Sequence, residues 1–145
     1  MTDSIFTKII KEEIPARKIF ENEHVIAIMD LSQVTRGHTL IITKKPVRNI
    51  FEYDEDLAAN VFSSLPIVAK AVKEHNPDVK GLNILMNNEA VASQTVFHSH
   101  IHLLPRYSEN DDFGLKWSDN SDQYTDAELD NIQSELIKAL EGMTK

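Results

Sequence analysis

His98, His100 and His102 stand at alternate positions in the run Gln94-Thr95-Val96-Phe97-His98-Ser99-His100-Ile101-His102-Leu103-Leu104-Pro105-Arg106. Imidazole can be nucleophile, acid, base or metal ligand near neutral pH, so three of them in a row point to chemistry. Phe97, Ser99, Ile101 and Leu103 fill the gaps. Alternation of period two predicts a strand with one face packed inward. On such a strand the three rings project from one face, about 6–7 Å apart. A helix would scatter them around its circumference. Two uses of the row compete. Neutral imidazoles on one strand face are common zinc or iron ligands, and such a site recruits a further histidine or a carboxylate. His38 could serve, although no Asp or Glu lies within the run. Alternatively, a neutral imidazole attacks an α-phosphate in line and displaces its leaving group. Its neighbours then hold its tautomer and supply positive charge to the phosphoryl oxygens. Spacing alone divides these two evenly, and three rings at strict period two weigh against incidental histidines on a half-buried strand.

The elements that position the row can be read in order. Ser4 caps a short helix over residues 5–12, with Ile5, Phe6, Ile9 and Ile10 on its apolar face, and Ile14-Pro15 ends it. Lys18-Ile19-Phe20-Glu21 and Val25-Ile26-Ala27-Ile28-Met29-Asp30 read as two strands joined by a turn at Asn22-Glu23. Asp30 at a strand end is either a turn-initiating carboxylate or a ligand to sugar hydroxyls. Gly37-His38-Thr39-Leu40-Ile41-Ile42-Thr43 is a third strand with His38 at its mouth, and Lys44-Lys45-Pro46 stops it. Asp54 caps a long helix carrying Leu57, Val61, Leu65, Val68, Ala69 and Val72 at three- and four-residue spacing. Pro66 lies inside that pattern and predicts a kink or two abutting helices. Residues 81–87 form a fourth strand, and residues 88–93 a loop into the histidine strand. After Arg106 an acidic stretch reads as a solvated loop, with Phe113 and Trp117 as large apolar groups seeking something to pack on. Thr125-Asp126-Ala127-Glu128 is a capping box for a last helix with Leu129, Ile132, Leu136 and Leu140 on one stripe, expected to pack on the domain body or on a second subunit.

Composition narrows the classes. A chain of 145 residues fits one domain, with its core at residues 4–106 and an acidic loop and C-terminal helix at 107–145. A formal net charge of -8 argues against a general nucleic-acid binder but not against a small phosphate ligand. With no cysteine there is no disulfide framework and no thiolate nucleophile, which suits the cytoplasm. The N-terminal residues lack a basic n-region, and no stretch approaches the ~20 apolar residues of a membrane span, so no membrane association is expected.

His98-Ser99-His100-Ile101-His102-Leu103-Leu104 resembles the pattern of the histidine-triad (HIT) family, in which three histidines alternate with apolar residues. Ser99 is a less apolar filler than the pattern prefers. The resemblance extends over about residues 4 to 106, through Ser4-Ile5-Phe6-Thr7-Lys8-Ile9-Ile10, Glu13-Ile14-Pro15-Ala16, Ala27-Ile28-Met29-Asp30, Gly37-His38-Thr39-Leu40-Ile41-Ile42 and Gln94-Thr95-Val96-Phe97. It implies an α+β fold, an antiparallel sheet of about five strands with a long helix and terminal helices packed on it. It also implies a homodimer whose sheets adjoin.

The resemblance further implies a metal-independent purine nucleotide hydrolase or transferase, without a cofactor. Such an enzyme cleaves nucleoside 5′-phosphoramidates or related phosphoanhydrides through a covalent nucleotidyl-histidine. His100 is then the nucleophile. His98 and His102 orient it and contact phosphate, and His38 joins the phosphate site. Thr95 reaches the leaving group, Gln94 lies near the scissile bond, and Asn87 (or Asn88, if the loop shifts by one) binds phosphate. Asp30 binds ribose, and Ile5, Phe6, Ile9, Ile28 and Leu31 form the base pocket; for Ile9 a plain core role is as good. Diadenosine polyphosphate hydrolysis is the alternative substrate assignment, and a nucleotide-binding or interaction module with weak activity is the alternative class. A metallohydrolase on the three triad histidines is a third.

Three departures stand out. Some relatives bind zinc through an N-terminal Cys-x-x-Cys, and those positions are Ser4 and Thr7 here, which predicts no structural zinc. Arg36 replaces a common proline and predicts a cation near the phosphate mouth. Ala90 and Ser93 occupy a loop that often bears glycine, which makes close backbone approach to a ligand harder.

Overall fold

The computed structural model describes residues 3–143; Met1 and Thr2, on which the N-terminal reading partly rests, lie outside them. The chain divides into two compact units, Met1–Gly114 and Leu115–Lys145.

The first unit opens with helix α1, Ile5–Ile10. Ser4 caps it, its side chain accepting the Thr7 N–H. The helix stops two residues before the sequence pattern does. Glu12 takes a φ of 62°, its N–H returns to Ile9, and the Glu13 N–H returns to the Lys8 carbonyl. That left-handed cap closes the helix before the proline can.

Strands β1 (Lys18–Glu21), β2 (Val25–Met29), β3 (Thr39–Thr43), β4 (Gly81–Leu85) and β5 (His100–Arg106) form a single antiparallel sheet in the order β1-β2-β3-β5-β4. The Asn22 carboxamide accepts the backbone N–H groups of His24 and Val25, which sets the turn between β1 and β2. The stretch between β3 and β4 carries helices α2 (Glu55–Phe62) and α3 (Leu65–Glu74). These are the abutting pair that Pro66 predicts. Asp54 caps the first, and the proline sits in the opening turn of the second, where its missing N–H costs nothing.

Both faces of the sheet are buried. On one, Val25, Ala27, Ile41, Ile101 and Leu103 pack with Leu57, Val61, Val68 and Val72 of α2 and α3. On the other, Ile26, Ile28, Leu40 and Ile42 pack with Phe6 of α1. Register carries the histidines onto the second face: His100 pairs with Ile42 and His102 with Leu40. Ile101 and Leu103 point the opposite way into the larger core. So β5 places two imidazoles on the α1 side and anchors them with two aliphatic side chains beneath the helices.

Residues 107–112, expected to be a solvated acidic loop, are tied to the body. Asp111 pairs with Arg106 and accepts the Tyr107 N–H, and the Tyr107 hydroxyl donates to the Arg36 carbonyl. Arg106 also stacks over Phe113. The second unit contains helix α4, Asp126–Met143, opened by the expected capping box of Thr125 and Glu128. None of its residues is buried, and Trp117 is exposed. No helix among the described residues is long and apolar enough to cross a membrane.

Candidate active site

The triad is not a row of three equivalent rings. Strand β5 begins at His100, and His98 sits on the bend before it. His98 is 2% exposed, and both its ring nitrogens are engaged within the protein. Its Nε2 lies 2.7 Å from the Thr43 carbonyl oxygen, which can only accept, so Nε2 carries the proton. Its Nδ1 must then accept, and the Ser4 and Thr7 hydroxyls stand 2.9 and 3.2 Å away. The His98 ring, expected to orient the nucleophile and contact phosphate, is engaged with α1 and the end of β3.

The same reasoning assigns the other rings. His100 Nδ1 lies 2.7 Å from the backbone carbonyl of His98, so Nδ1 is protonated and Nε2 keeps its lone pair. His38 Nδ1 accepts the Val34 N–H at 3.3 Å, which leaves Nε2–H to donate to His102 Nδ1 at 2.9 Å. His102 then carries its own proton on Nε2. The rings of His100 and His102 are 5.1 Å apart, closer than ideal strand spacing, with Phe6 edge-on to His100 at 4.9 Å. Burial lowers the pKa of all four histidines, with Asp30 opposing this at His38, His100 and His102. His102 falls to about 4, through burial first and then the adjacent His100 and His38. The cluster is therefore neutral at pH 7, the state in which an imidazole nitrogen can attack.

His100 and His102 line a cleft of about 820 Å³. Ile5, Phe6, Ile9 and Ile28 form an apolar wall, and Asp30, Leu31 and Thr95 complete the part the sequence anticipates. Such a cleft, apolar with a few convergent polar groups, suits a small ligand. The chain matches the family model described as HIT domain over residues 11–109. The chain belongs to the HIT family. Protein hit of Bacillus subtilis (strain 168) is 44% identical over 136 residues, which is 94% of this chain and 93% of that protein. A crystal structure of a HIT-family member from Bacillus subtilis superposes with a TM-score of 0.91 at 43% identity, covering 94% of this chain and 96% of that one. Adenosine 5′-monophosphoramidase hnt1 of Schizosaccharomyces pombe is 34% identical over 113 residues, covering 78% of this chain and 81% of that protein.

Other residues that HIT membership brings into question fall away from the cleft. Gln94 is 3% exposed and spends its whole carboxamide on the scaffold. Its oxygen accepts from Glu89 N and Asn49 Nδ2, and its nitrogen donates to the Arg48 and Val96 carbonyls. Asn87 reaches the Ser93 carbonyl at 3.4 Å, and Asn88 holds Ile50 N–H and the Met86 carbonyl. Neither asparagine lines the cleft, and neither does His38, which acts on it through His102. Asp30 accepts the Ser32 N–H with one oxygen, which is its turn-initiating reading, and the residue also lines the cleft. Arg36, expected near the phosphate mouth, instead lines a separate cavity of about 620 Å³ with Tyr107 and Asp111.

Sequence reasoning missed Arg17 and Val96 as cleft residues. Val96 carries a signal, since it precedes the triad at the same period; exposed Arg17 carries none. Ser99, the odd filler, is buried and hydrogen-bonded to the Tyr53 hydroxyl at 2.7 Å, which explains a hydroxyl at an apolar position. Ser4 and Thr7 offer neutral hydroxyls already spent on His98, a donor set that does not fit structural zinc. Asp30, His38 and His102 place one ligand atom each within 4.8 Å of one another, a carboxylate and two imidazoles of the kind zinc or iron accepts.

Proposed function

We propose that this HIT-family protein hydrolyses or transfers nucleotides, cleaving purine nucleoside 5′-phosphoramidates or related phosphoanhydrides through a nucleotidyl-histidine. One observation carries the reading: the His98 carbonyl holds the Nδ1 proton of His100, so the free lone pair is on Nε2 of a cleft-lining ring. That nitrogen attacks the α-phosphorus in line. A P–N bond to His100 forms, the bond to the leaving group breaks, and the departing nitrogen or oxygen takes a proton by way of the Thr95 hydroxyl. Water then attacks phosphorus, the bond to His100 breaks, and the nucleoside monophosphate leaves with the water's oxygen. His102 donates from Nε2 to the phosphoryl oxygens, and His38 fixes that tautomer from behind. Asp30 holds the ribose, and Ile5, Phe6, Ile9, Ile28 and Leu31 hold the purine. Relatives named adenosine 5′-monophosphoramidase in three yeasts support the substrate class.

His100→Ala is expected to lower turnover by a factor on the order of 10⁴ or more while nucleotide affinity changes little. Mass mapping after a quench without acid should find the nucleotidyl group on His100 in the natural chain. A variant with normal turnover defeats the mechanism. Rates on adenosine phosphoramidate and diadenosine tetraphosphate, measured side by side, separate the two substrate assignments.

A second reading rests on the Asp30, His38 and His102 cluster, which could carry a metallohydrolase centre. The 2.9 Å contact between the two rings favours a shared proton over a shared ion. Activity that survives chelation at full rate retains the first reading; stoichiometric metal whose removal abolishes activity selects the second.

The proposed assembly is a homodimer joined edge to edge. β4 is a sheet edge, Ile84 on it is exposed, and so is Ile67 on the neighbouring α3. Sedimentation should give twice the chain mass, and Ile84→Lys should shift the protein toward monomer.

A further inference from the structure

We propose that the Ser4 and Thr7 hydroxyls are positioning residues for the reacting histidine, acting through His98. The inference deepens the proposed mechanism and rests on it for its kinetic reading, although not for its spectroscopic one.

The proton count is closed. His98 Nε2 must donate to the Thr43 carbonyl, so Nδ1 needs a hydrogen from outside the ring. The Ser4 oxygen accepts the Thr7 N–H at 3.0 Å and stands 3.2 Å from the Thr7 hydroxyl. It can therefore accept from Thr7 and still give its own proton to His98 Nδ1 at 2.9 Å. The Thr7 hydroxyl, 3.2 Å from the same nitrogen, is the alternative donor: its one proton goes either to Ser4 or to His98 Nδ1. With His98 buried, loss of both donors leaves a ring nitrogen unpaired where water has little access.

The clamp reaches the reacting group by two short routes. The first is the backbone: the fixed His98 ring fixes the bend before β5, and the carbonyl there accepts the His100 Nδ1 proton at 2.7 Å. That bond decides which nitrogen of His100 is free. The second is α1. The same hydroxyls tie the helix cap to the triad, and Phe6 of that helix lies 5.9 Å from the His98 ring and 4.9 Å from the His100 ring. A cap that only started a helix would need the Thr7 N–H alone. The additional contacts join the base-side wall of the cleft to the nucleophile.

The test is Ser4→Gly with Thr7→Val in the full-length chain. Glycine is nearly as good an N-cap as serine, and valine matches threonine in shape, so helix capping is largely kept while both donors go. We expect kcat to fall about tenfold to a hundredfold, as displacement of a reacting group by a fraction of an ångström does, with KM within about threefold. Ser4→Thr and Thr7→Ser, which keep the hydroxyls, should stay within about threefold of the natural rate. Ring-nitrogen NMR should show His98 protonated on Nε2 and His100 on Nδ1 in the natural chain, and both tautomers of His100 in the double variant. Should the double variant fail to fold, Thr7→Val alone gives the same comparison with a smaller fall. A folded variant with unchanged kcat and a single His100 tautomer overturns the proposal. No turnover of any nucleotide by the natural chain would sink the proposed function instead, while the tautomer comparison would still decide on the clamp.

Discussion

At the scale of single residues, what matters is which imidazole nitrogen holds a proton. His100 is useful as a nucleophile only with Nε2 unprotonated, and a backbone carbonyl at 2.7 Å from Nδ1 secures that state. Burial reinforces it by lowering the His100 pKa below its ordinary 6.5. The acid limb of the rate profile should therefore lie below pH 6.5, where a free imidazole would already be half protonated. A profile of kcat/KM between pH 4 and 8 checks this, and a limb at or above the ordinary histidine range would contradict it. Glu89 shows a different residue-scale economy. Its φ of 80° suits glycine, yet its carboxylate holds the Arg48 guanidinium and the Asn49 amide, and these partners keep it ionised down to about pH 2.

At the scale of elements, the loop between β4 and β5 shows where glycine is missing and how the chain manages without it. Both Glu89 and Ser93 adopt left-handed backbone, at φ of 80° and 72°. At Glu89 the side chain offsets the strain through its ion pair, and its N–H is held by Gln94. Ser93 is exposed, and among the described residues its hydrogen bonds are those of its backbone, N–H to the Ala90 carbonyl and carbonyl from Asn87, with none from its side chain. Ser93→Gly should then raise stability by up to about 1 kcal/mol, the left-handed penalty less the entropy glycine adds to the unfolded chain. Thermal unfolding of the two proteins measures it, and a destabilised variant would mean that the serine side chain holds the loop after all. Gly37 is the converse case, with a φ of 99° and His75 Cε1 2.7 Å from where a Cβ would lie. There the backbone calls for glycine, and a Cβ would also have to displace the exposed His75 ring.

At the scale of the whole molecule, four neutral histidines, three buried and His102 half-buried, make stability depend on pH. His38, His98, His100 and His102 all have lowered pKa values in the folded protein, His102 to about 4. Below the ordinary 6.5 the unfolded chain gains protons that the folded one refuses, so stability is full above that pH. It should be lost progressively as the pH falls from 6.5 toward 4. Glu21, Glu89 and Asp111, each held at about 2 by a cationic neighbour, extend the loss to lower pH with the same sign. Denaturant midpoints at pH 8, 6 and 4.5 should decline in that order. Equal midpoints would mean that the histidines are as protonated in the folded protein as in the unfolded chain.

The sequence by itself determined the sheet, the capped helices, the break at Pro66 and the face on which His100 and His102 lie. These follow from local rules: alternation sets a strand's face, a hydroxyl or carboxylate before an apolar run starts a helix, and proline opens one but cannot continue it. The apolar wall of Ile5, Phe6, Ile9 and Ile28 was anticipated through the resemblance to the HIT family, because β2 is apolar at every position and its spacing favours neither face. Tertiary structure alone decided the division of labour among the histidines. His98 meets Ser4 across 94 residues of chain, His38 meets His102 across 64, and Gln94 closes on Asn49 across 45. A hydrogen bond between distant segments leaves no periodic trace, so spacing shows where a ring stands but not which of its nitrogens is already spent.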